Sequence, residues 1–562
     1  MQSDIEIAQA TRLQRIEEIA ERAGIAKDLL EPYGHAKAKV RLDATASPGS
    51  NPRGRGRFIG VTGINPTPYG EGKTVTAIGL VDALARLGKK VIGTIRQPSL
   101  GPVFGIKGGA TGGGYSQVAP MEDINLHFTG DFHAVSAAHN LLAAMVDNHV
   151  FQGNRLAIEP KEIYCNRAID MNDRVLRHVL FGVGASANGV TREGAFDIVA
   201  ASEVMAALTL STDLMDLKAR LGRIIVGRTK EKKLVTAADL RAHGAMAVLL
   251  KDALKPNLVQ TLAGSPMLVH CGPFANVAPG NSSVVADRMA LGLADYVVTE
   301  SGFGSDCGFE KLVDLKCRGA GYGPDAEVIV ASTRALKWHG GGIKKAKDRS
   351  EAKVPNPDAV RAGCANLAKH IENVKMVGCP CVVAINVFDT DSEEELAVIE
   401  EEAKRHGAKV ARSNVHARGG AGGEDLARAV LLALETPAEV TPLYGLGWDV
   451  KRKIEAVAKR FYGAAEVRYS DAAQQRLALY ESLGYGGLPI CIAKTPMSLS
   501  HDAKLKNRPE GFVFPIEEVR LFAGAGYILP LAGSIMTMPG LPEVPAAETI
   551  DVDAEGRIRG LF

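Results

Sequence analysis

The segment 61–74, VTGINPTPYGEGKT, restricts the possible folds more than any other stretch of the chain. An apolar run at 58–61 precedes it and predicts a buried strand, and an amphipathic run at 75–87 follows it and predicts a helix. A glycine-rich turn ending in Gly-Lys-Thr between a strand and a helix is typical of a phosphate-binding loop. A strict GxxxxGK[ST] motif needs glycine where this chain has Thr67, so an ordinary strand–helix turn is the alternative.

In such a loop, backbone N–H groups point at phosphate oxygens, Lys73 adds a cation, and the Thr74 hydroxyl can hold Mg²⁺. The residues predicted to bind nucleotide are Thr67, Pro68, Tyr69, Gly70, Glu71, Gly72, Lys73 and Thr74.

Composition narrows the class of protein. The chain has 562 residues, which suggests three or four folding units, and a formal net charge of only +2 without Lys/Arg runs interleaved with aromatics, which argues against a nucleic-acid surface. The start of the chain is acidic rather than apolar, so no secretory signal is expected, and the apolar stretch 521–538 is too broken by Gly and Pro to span a membrane. The eight cysteines form no CxxC pair, which predicts reduced, buried thiols in a cytoplasmic protein.

A second strand is predicted at 91–95, so the strand, helix and strand form a βαβ unit. We therefore predict an α/β fold: a P-loop NTPase-like, mostly parallel sheet with helices on both faces, an inserted middle region and a C-terminal α/β domain. Arg96 follows the second strand at the carboxyl edge of the sheet, where ligands bind in open α/β folds. It could clamp an anion, or it could cap a loop.

The segment 105–115 contains six glycines in eleven residues and cannot contribute to a hydrophobic core. Ordering such a loop costs conformational entropy, so the segment is either a flexible linker or an ordered anion-binding loop. Its Lys107 and flanking apolar residues favour the second interpretation.

Two histidines flank an acid in the segment 125–133: His127, Asp131 and His133. Such a group could ligate a metal or transfer protons, although a single histidine is more often a structural hydrogen-bond donor. We predict that Asp131 is functional and leave both readings open for the two histidines.

Further strands are predicted at 267–270, 296–299, 328–331 and 382–385, and each is followed by polar or glycine residues. These include Phe303, Gly304 and Ser305 after the second strand, and Asn386, Phe388 and Asp389 after the fourth. The pair Asn386 and Asp389 is similar to the base-binding residues of P-loop proteins. The predicted units are 1–150 with an N-terminal helix over 4–30 and the phosphate loop, an inserted elaboration at 151–265, a continuation of the sheet at 266–438, and a C-terminal domain at 439–562.

Taken together, these stretches resemble formate–tetrahydrofolate ligase over essentially the whole chain. The most specific matches are the loop 67–74, the segment 96–115, PMEDINLHFTGD at 120–131, and TRALKWHGG at 333–341. The resemblance implies an ATP-dependent C–N bond-forming ligase of one-carbon metabolism. Formate attacks the γ-phosphate of MgATP to give formyl phosphate and ADP, and N10 of tetrahydrofolate then takes the formyl group and releases phosphate.

The resemblance also implies residue roles. Lys73 and the amides of 70–74 would neutralise the transferring phosphoryl group, and Thr74 would hold Mg²⁺. Arg96 would bind formate and then formyl phosphate, and Asp131 would coordinate metal-bound water or accept the N10 proton. His127 and His133 are the remaining catalytic candidates, Lys107, Phe303, Gly304 and Ser305 would line the cleft, and a cytoplasmic homotetramer binding only small molecules is implied.

Four positions depart from the family pattern. Gln97 replaces an acid linked to activation by a monovalent cation, which puts potassium dependence in question. His416 replaces a Trp that would stack on the pterin opposite Phe388, which implies weaker or pH-sensitive folate binding. Thr111 and Tyr69 each replace the usual Ala.

These departures leave two alternatives to the ligase. One is a kinase of the same fold that activates formate or another carboxylate for a different acceptor. The other is a P-loop ATPase switch protein, which the absence of a second lysine near 66–68 disfavours. Folate-stimulated turnover would separate the first alternative from the ligase.

Overall fold

The structure is a computed structural model that describes residues 2–46, 55–105, 111–345, 350–533 and 535–561. The predicted ligand residue Lys107 lies outside these ranges. The strands, in chain order, are β1 (Leu30–Pro32), β2 (Ala38–Val40), β3 (Arg57–Gly63), β4 (Val91–Ile95), β5 (Gly112–Gly113), β6 (Ser116–Ala119), β7 (Ile158–Ile163), β8 (Arg167–Ile169), β9 (Val179–Phe181), β10 (Arg192–Gly194), β11 (Phe196–Ile198), β12 (Ile225–Thr229), β13 (Leu234–Thr236), β14 (Asn257–Thr261), β15 (Pro266–Val269), β16 (Tyr296–Gly304), β17 (Ala326–Ala331), β18 (Cys381–Asn386), β19 (Lys409–Ser413), β20 (Glu466–Tyr469), β21 (Val513–Ile516), β22 (Glu518–Phe522), β23 (Tyr527–Leu531), β24 (Asp551–Val552) and β25 (Ile558–Arg559).

The α-helices, in chain order, are α1 (Asp4–Ala10), α2 (Ile16–Ala23), α3 (Lys73–Arg86), α4 (Leu100–Phe104), α5 (Met121–Asn125), α6 (Asp131–Phe151), α7 (Glu203–Leu210), α8 (Leu214–Arg223), α9 (His243–Leu250), α10 (Val284–Leu293), α11 (Arg318–Ala320), α12 (Thr333–His339), α13 (Pro357–Met376), α14 (Glu393–Arg405), α15 (Val415–Arg418), α16 (Glu424–Ala433), α17 (Val450–Val457) and α18 (Asp471–Ser482).

A large central sheet organises the molecule. Its strand order is β1-β2-β14-β15-β4-β16-β3-β17-β18-β19, with β6 paired to β14 and β5 to β6. All neighbours from β15 to β19 run parallel, whereas β1, β2, β14 and β6 pair antiparallel at the other end. The prediction of a mostly parallel α/β sheet is confirmed.

Helices cover both faces of this sheet because its parallel strands are apolar on both sides. In β17, Val328 and Val330 contact the same core as α3 and α16, whereas Ile329 faces the core that contains α10 and α13. The carboxyl ends of the parallel strands lie along one edge, in the register Val61–Glu300 between β3 and β16 and Asn386–Ser413 between β18 and β19.

The single N-terminal helix predicted over 4–30 is wrong in its extent. The chain forms α1 and α2 instead, because the segment between them is tied to the sheet: Gln14 N donates to Gln260 Oε1 at 3.1 Å, and Gln260 Nε2 donates back to Gln14 O at 2.8 Å. These two bonds hold the chain away from helical geometry.

The hairpin β14–β15 joins the middle of the chain to the central sheet. The predicted boundary at 265 therefore falls between two paired strands, and the division into four units stays a prediction. All eight cysteines are buried and free, as predicted.

Candidate active site

The segment 64–72 joins β3 to α3 at the carboxyl edge, so the predicted strand–loop–helix arrangement is confirmed. Glu71 is folded back inside the loop and is only 3% exposed. Its Oε1 accepts a hydrogen bond from Thr67 N at 2.6 Å, and its Oε2 lies 3.4 Å from Lys73 Nζ. Glu71 thus stabilises the loop from within and positions the lysine, and Tyr69 packs edge-on against Trp338 outside it.

Asn386, at the end of β18, supports the loop from the side. Its Nδ2 donates to Glu71 O at 3.2 Å. The next residue, Gly72, has φ +83°, and a Cβ there would lie 2.4 Å from the same Nδ2. Only glycine fits both the backbone angle and the close approach.

The start of the loop is anchored in a buried polar cluster around Asn65. Asn65 Nδ2 donates to both oxygens of Asp306, at 3.2 and 3.3 Å, and Asp306 also pairs with Lys494 at 2.5 Å. Asn65 Oδ1 accepts from His370, whose other ring nitrogen bonds Ser305 Oγ at 2.7 Å. Burial lowers the pKa of His370 to about 4, so the ring is neutral near pH 7.

Glu300 connects two of the predicted site residues. It lies on β16, which runs between β4 and β3. Arg96 Nη2 donates to Glu300 Oε1 at 3.0 Å, and the Thr74 hydroxyl donates to Glu300 Oε2. Arg96 Nη1 donates to Pro273 O at 3.2 Å. The cation predicted to bind formate and the hydroxyl predicted to hold Mg²⁺ therefore meet on one carboxylate.

The predicted cleft residues Phe303, Gly304 and Ser305 lie beside the loop. Phe303 has φ +64°, an uncommon conformation for a bulky residue, and its carbonyl accepts from Thr62 Oγ1 at 3.3 Å. Gly304 pairs with Gly63 after a register shift that follows Glu300. This irregular strand end brings the segment 303–305 alongside the beginning of the loop.

Phe388 and His416 have different neighbours. The Arg334 guanidinium lies over the Phe388 ring at 3.7 Å. His416 is on α15, its side chain is half exposed, its Nε2 lies 3.9 Å from Asp4 Oδ1, and its carbonyl accepts from Tyr115 N at 2.8 Å. The described part of the glycine-rich segment thus lies against the loop that carries His416.

Asp131 is buried at the first position of α6. Lys39 Nζ lies 2.8 Å from its Oδ1, and Asn257 Nδ2 donates to its Oδ2 at 2.7 Å. His127 and His133, in contrast, are exposed. Across the described ranges there is no cluster of three or more His, Cys, Asp or Glu side chains arranged to hold a metal.

Sequence reasoning gave no role to Glu300, Lys39 or Asn65. Glu300 was detectable, because it directly follows the predicted strand 296–299 and therefore had to lie at the carboxyl edge. Lys39 comes from the antiparallel end of the sheet, and no local pattern indicates its pairing with Asp131. None of the helices in the described ranges has the length and apolar character needed to cross a bilayer.

Comparison with known proteins shows the family of this chain. The family model described as formate–tetrahydrofolate ligase matches residues 2–562. Proteins named formate–tetrahydrofolate ligase from Roseiflexus sp. (strain RS-1), Roseiflexus castenholzii (strain DSM 13941 / HLO8) and Paracoccus denitrificans (strain Pd 1222) are 57%, 56% and 53% identical, each match covering 100% of both chains. A solved structure, the apo form of L. casei FPGS, matches at a TM-score of 0.16 and 11% identity over 71% of this chain and 94% of that one, which is too weak to bear on the fold. The chain belongs to the formate–tetrahydrofolate ligase family.

Proposed function

We propose that the edge formed by Lys73, Thr74, Arg96 and Glu300 is where this ligase couples ATP to the joining of formate and tetrahydrofolate. The enzyme converts ATP, formate and tetrahydrofolate to 10-formyltetrahydrofolate, ADP and phosphate. The observation that carries the site assignment is the pair of bonds from Arg96 and Thr74 to Glu300, because it brings an anion-binding cation next to the phosphate loop.

In the first step, a formate oxygen attacks the γ-phosphorus and ADP leaves, giving formyl phosphate. Phosphoryl transfer requires little covalent chemistry from a protein and depends on positioning and charge. The amides of 70–74 and the Lys73 ammonium supply that charge at the start of α3. Arg96, whose side chain is one-fifth exposed, is accessible to a small anion.

In the second step, N10 of tetrahydrofolate attacks the formyl carbon, phosphate leaves with the oxygen that formate contributed, and N10 loses a proton. Arg96 retains formyl phosphate during the attack. Asp131 is our candidate to receive the proton directly or through water, and the bonds from Lys39 and Asn257 fix the orientation of its carboxyl group. The exposed His127 and His133 are candidates to pass the proton to solvent.

Folate binding is assigned to Phe388 and His416. Arg334 stacks on the Phe388 ring and restrains it, and we propose that the pterin stacks on the opposite face. The half-exposed His416 offers a smaller surface than an indole, so we expect weaker stacking there. Lys107, Phe303, Gly304 and Ser305 are proposed to line the same cleft, and Asn386 to border the nucleotide.

Mg²⁺ fits the donors at this site, since a hydroxyl and a carboxylate together with substrate phosphates and waters satisfy its preference for oxygen. A monovalent cation is doubtful, because Gln97 offers a neutral oxygen where an acid would add charge. We also propose a homotetramer, which light scattering would test. The eight buried free thiols suit the reducing cytoplasm.

The test is to mix purified enzyme with MgATP, formate and tetrahydrofolate and to measure ADP and 10-formyltetrahydrofolate while omitting each substrate in turn. Formation of the two products in equal amounts, dependent on all three substrates, is expected. ADP that requires formate but yields no formylated folate would indicate a carboxylate kinase with another acceptor. ADP formation that ignores formate would indicate an ATPase switch.

A further inference from the structure

Both oxygens of the Glu300 side chain are bonded to residues to which the proposed function gives further partners. Its residue is 3% exposed, and both of its oxygens are engaged, one by Arg96 and the other by Thr74. With substrates bound, formate would compete with Glu300 for the Arg96 guanidinium, and a metal beside the Thr74 hydroxyl oxygen would compete with Arg96 for the Glu300 carboxylate. These further partners follow from the proposed function, on which the inference below rests.

The carboxylate is not needed to hold the strand. The backbone of Glu300 is fixed by its parallel pairing with Val61, and its carbonyl accepts from Asn281 Nδ2 at 3.4 Å. Arg96 has a further acceptor in Pro273 O. The side chain can therefore exchange partners without moving β16 or losing all restraint on Arg96.

Electrostatics gives the direction of that exchange. A carboxylate that is only 3% exposed would repel a triphosphate bound at the neighbouring loop, because water screens a buried charge poorly. A divalent cation bound between the carboxylate and the triphosphate would turn this repulsion into attraction, since Mg²⁺ is held well by one carboxylate together with phosphate oxygens and waters. A bound Mg²⁺ would therefore compete with Arg96 for the Glu300 carboxylate.

We propose that Glu300 links Mg²⁺ binding to release of Arg96. Without metal and nucleotide, Glu300 neutralises Arg96 and occupies the Thr74 hydroxyl. When MgATP binds, Glu300 turns to the metal, directly or through a metal-bound water, and Arg96 becomes available to formate. The order of events gives specificity, because the anion site opens only beside a loaded nucleotide.

Glu300→Gln is the informative variant, since it removes the charge and keeps the shape. We would measure ATP affinity by calorimetry with Mg²⁺ and with EDTA. In wild type, we expect Mg²⁺ to tighten ATP binding. In E300Q, we expect ATP without metal to bind at least as tightly as it does to wild type. The ratio of the ATP Kd in EDTA to the ATP Kd in Mg²⁺ should fall by about tenfold or more relative to wild type.

Formate binding supplies a second readout, measured by NMR with carbon-13-labelled formate and no nucleotide. E300Q should bind formate more tightly than wild type by about tenfold or more, because Arg96 no longer has a carboxylate partner in Glu300. The gain should disappear in the double variant E300Q with Arg96→Ala.

Glu327→Gln is the matched control. Glu327 lies on the same sheet in β17, is fully buried, and has its pKa raised well above the usual range by burial. Because Glu327 lies near the amino end of β17, away from the carboxyl edge that carries the site, E327Q should change neither binding experiment.

If E300Q weakened ATP binding equally with and without Mg²⁺, the residue would be structural and the proposal wrong. An unchanged Mg²⁺ effect, or formate binding no tighter than in wild type, would also overturn it. Failure of the proposed function itself would look different, because wild-type enzyme would then make no 10-formyltetrahydrofolate.

Discussion

Replacing Gly72 by Ala should weaken MgATP binding more than replacing Gly70, two residues earlier. Both glycines have positive φ, +74° at Gly70 and +83° at Gly72. A Cβ at Gly70 meets nothing within 4 Å, whereas a Cβ at Gly72 would lie 2.4 Å from Asn386 Nδ2. Both substitutions therefore strain the backbone, and only Gly72→Ala also brings a Cβ into a clash with the Asn386 side chain.

The structure sets the magnitudes. Left-handed backbone costs a residue with a Cβ about 1–2 kcal/mol, which predicts a loss of roughly 5- to 30-fold in MgATP affinity for Gly70→Ala. Gly72→Ala also displaces the Asn386 amide from Glu71 O and loses about 1 kcal/mol more, giving about 2–3 kcal/mol or roughly 30- to 150-fold. These conformational free energies reduce the measured affinity, because the loop of each variant can relax when it is empty and must return to the strained shape when it binds phosphate.

Calorimetry with MgATP, in the absence of formate and tetrahydrofolate, measures both dissociation constants without turnover, and thermal melts verify that both variants are folded. If Gly72→Ala bound MgATP within about threefold of wild type, or if Gly70→Ala lost more affinity than Gly72→Ala, the assigned role of the loop geometry would be refuted.

Three further outcomes are expected. Lys73→Met and Arg96→Ala should each lower kcat by roughly 10²–10³-fold, about 3–4 kcal/mol, through loss of a positioned charge, and formate-dependent ADP formation near the wild-type rate would exclude the assigned role. His416→Trp should lower KM for tetrahydrofolate by roughly three- to tenfold, about 0.5–1.5 kcal/mol, while KM for ATP stays constant; an unchanged folate KM would remove His416 from the pterin site. Burial lowers the pKa of His370 from 6.5 to about 4, so below pH 6.5 the unfolded chain binds a proton that the folded state refuses, and stability falls as the pH drops toward 4. His370→Gln should flatten the decline of Tm between pH 6.5 and 5, and a slope identical to that of wild type would contradict this cause.

The parallel half of the fold is predictable because its signals are local. Each strand from β15 to β18 contains a short apolar run that polar or glycine residues follow, and the connecting segments carry helical periodicity. Because the carboxyl ends of parallel strands share one edge, the same pattern also predicts that Lys73, Arg96, Asn386 and the segment 303–305 lie along that edge.

The remaining features depend on contacts that no local pattern contains. Lys39 reaches Asp131 across 92 residues of sequence, and Asn65 is anchored by Asp306 and Lys494 from distant parts of the chain. Periodicity alone predicts one N-terminal helix because it continues through 11–15, whereas the bonds between Gln14 and Gln260 break that helix in two. At 11–15, long-range hydrogen bonding overrides helix propensity.

We propose that this enzyme activates formate by phosphoryl transfer at the edge shared by Lys73 and Arg96. The most direct test uses formate labelled with oxygen-18, with MgATP and tetrahydrofolate, and follows inorganic phosphate by phosphorus NMR. If formate attacks the γ-phosphate, the phosphate released when N10 takes the formyl group must carry one formate oxygen, and the shifted phosphate signal should grow in step with 10-formyltetrahydrofolate. Product formation with unlabelled phosphate would contradict the account, because formate would then have been activated without an oxygen–phosphorus bond.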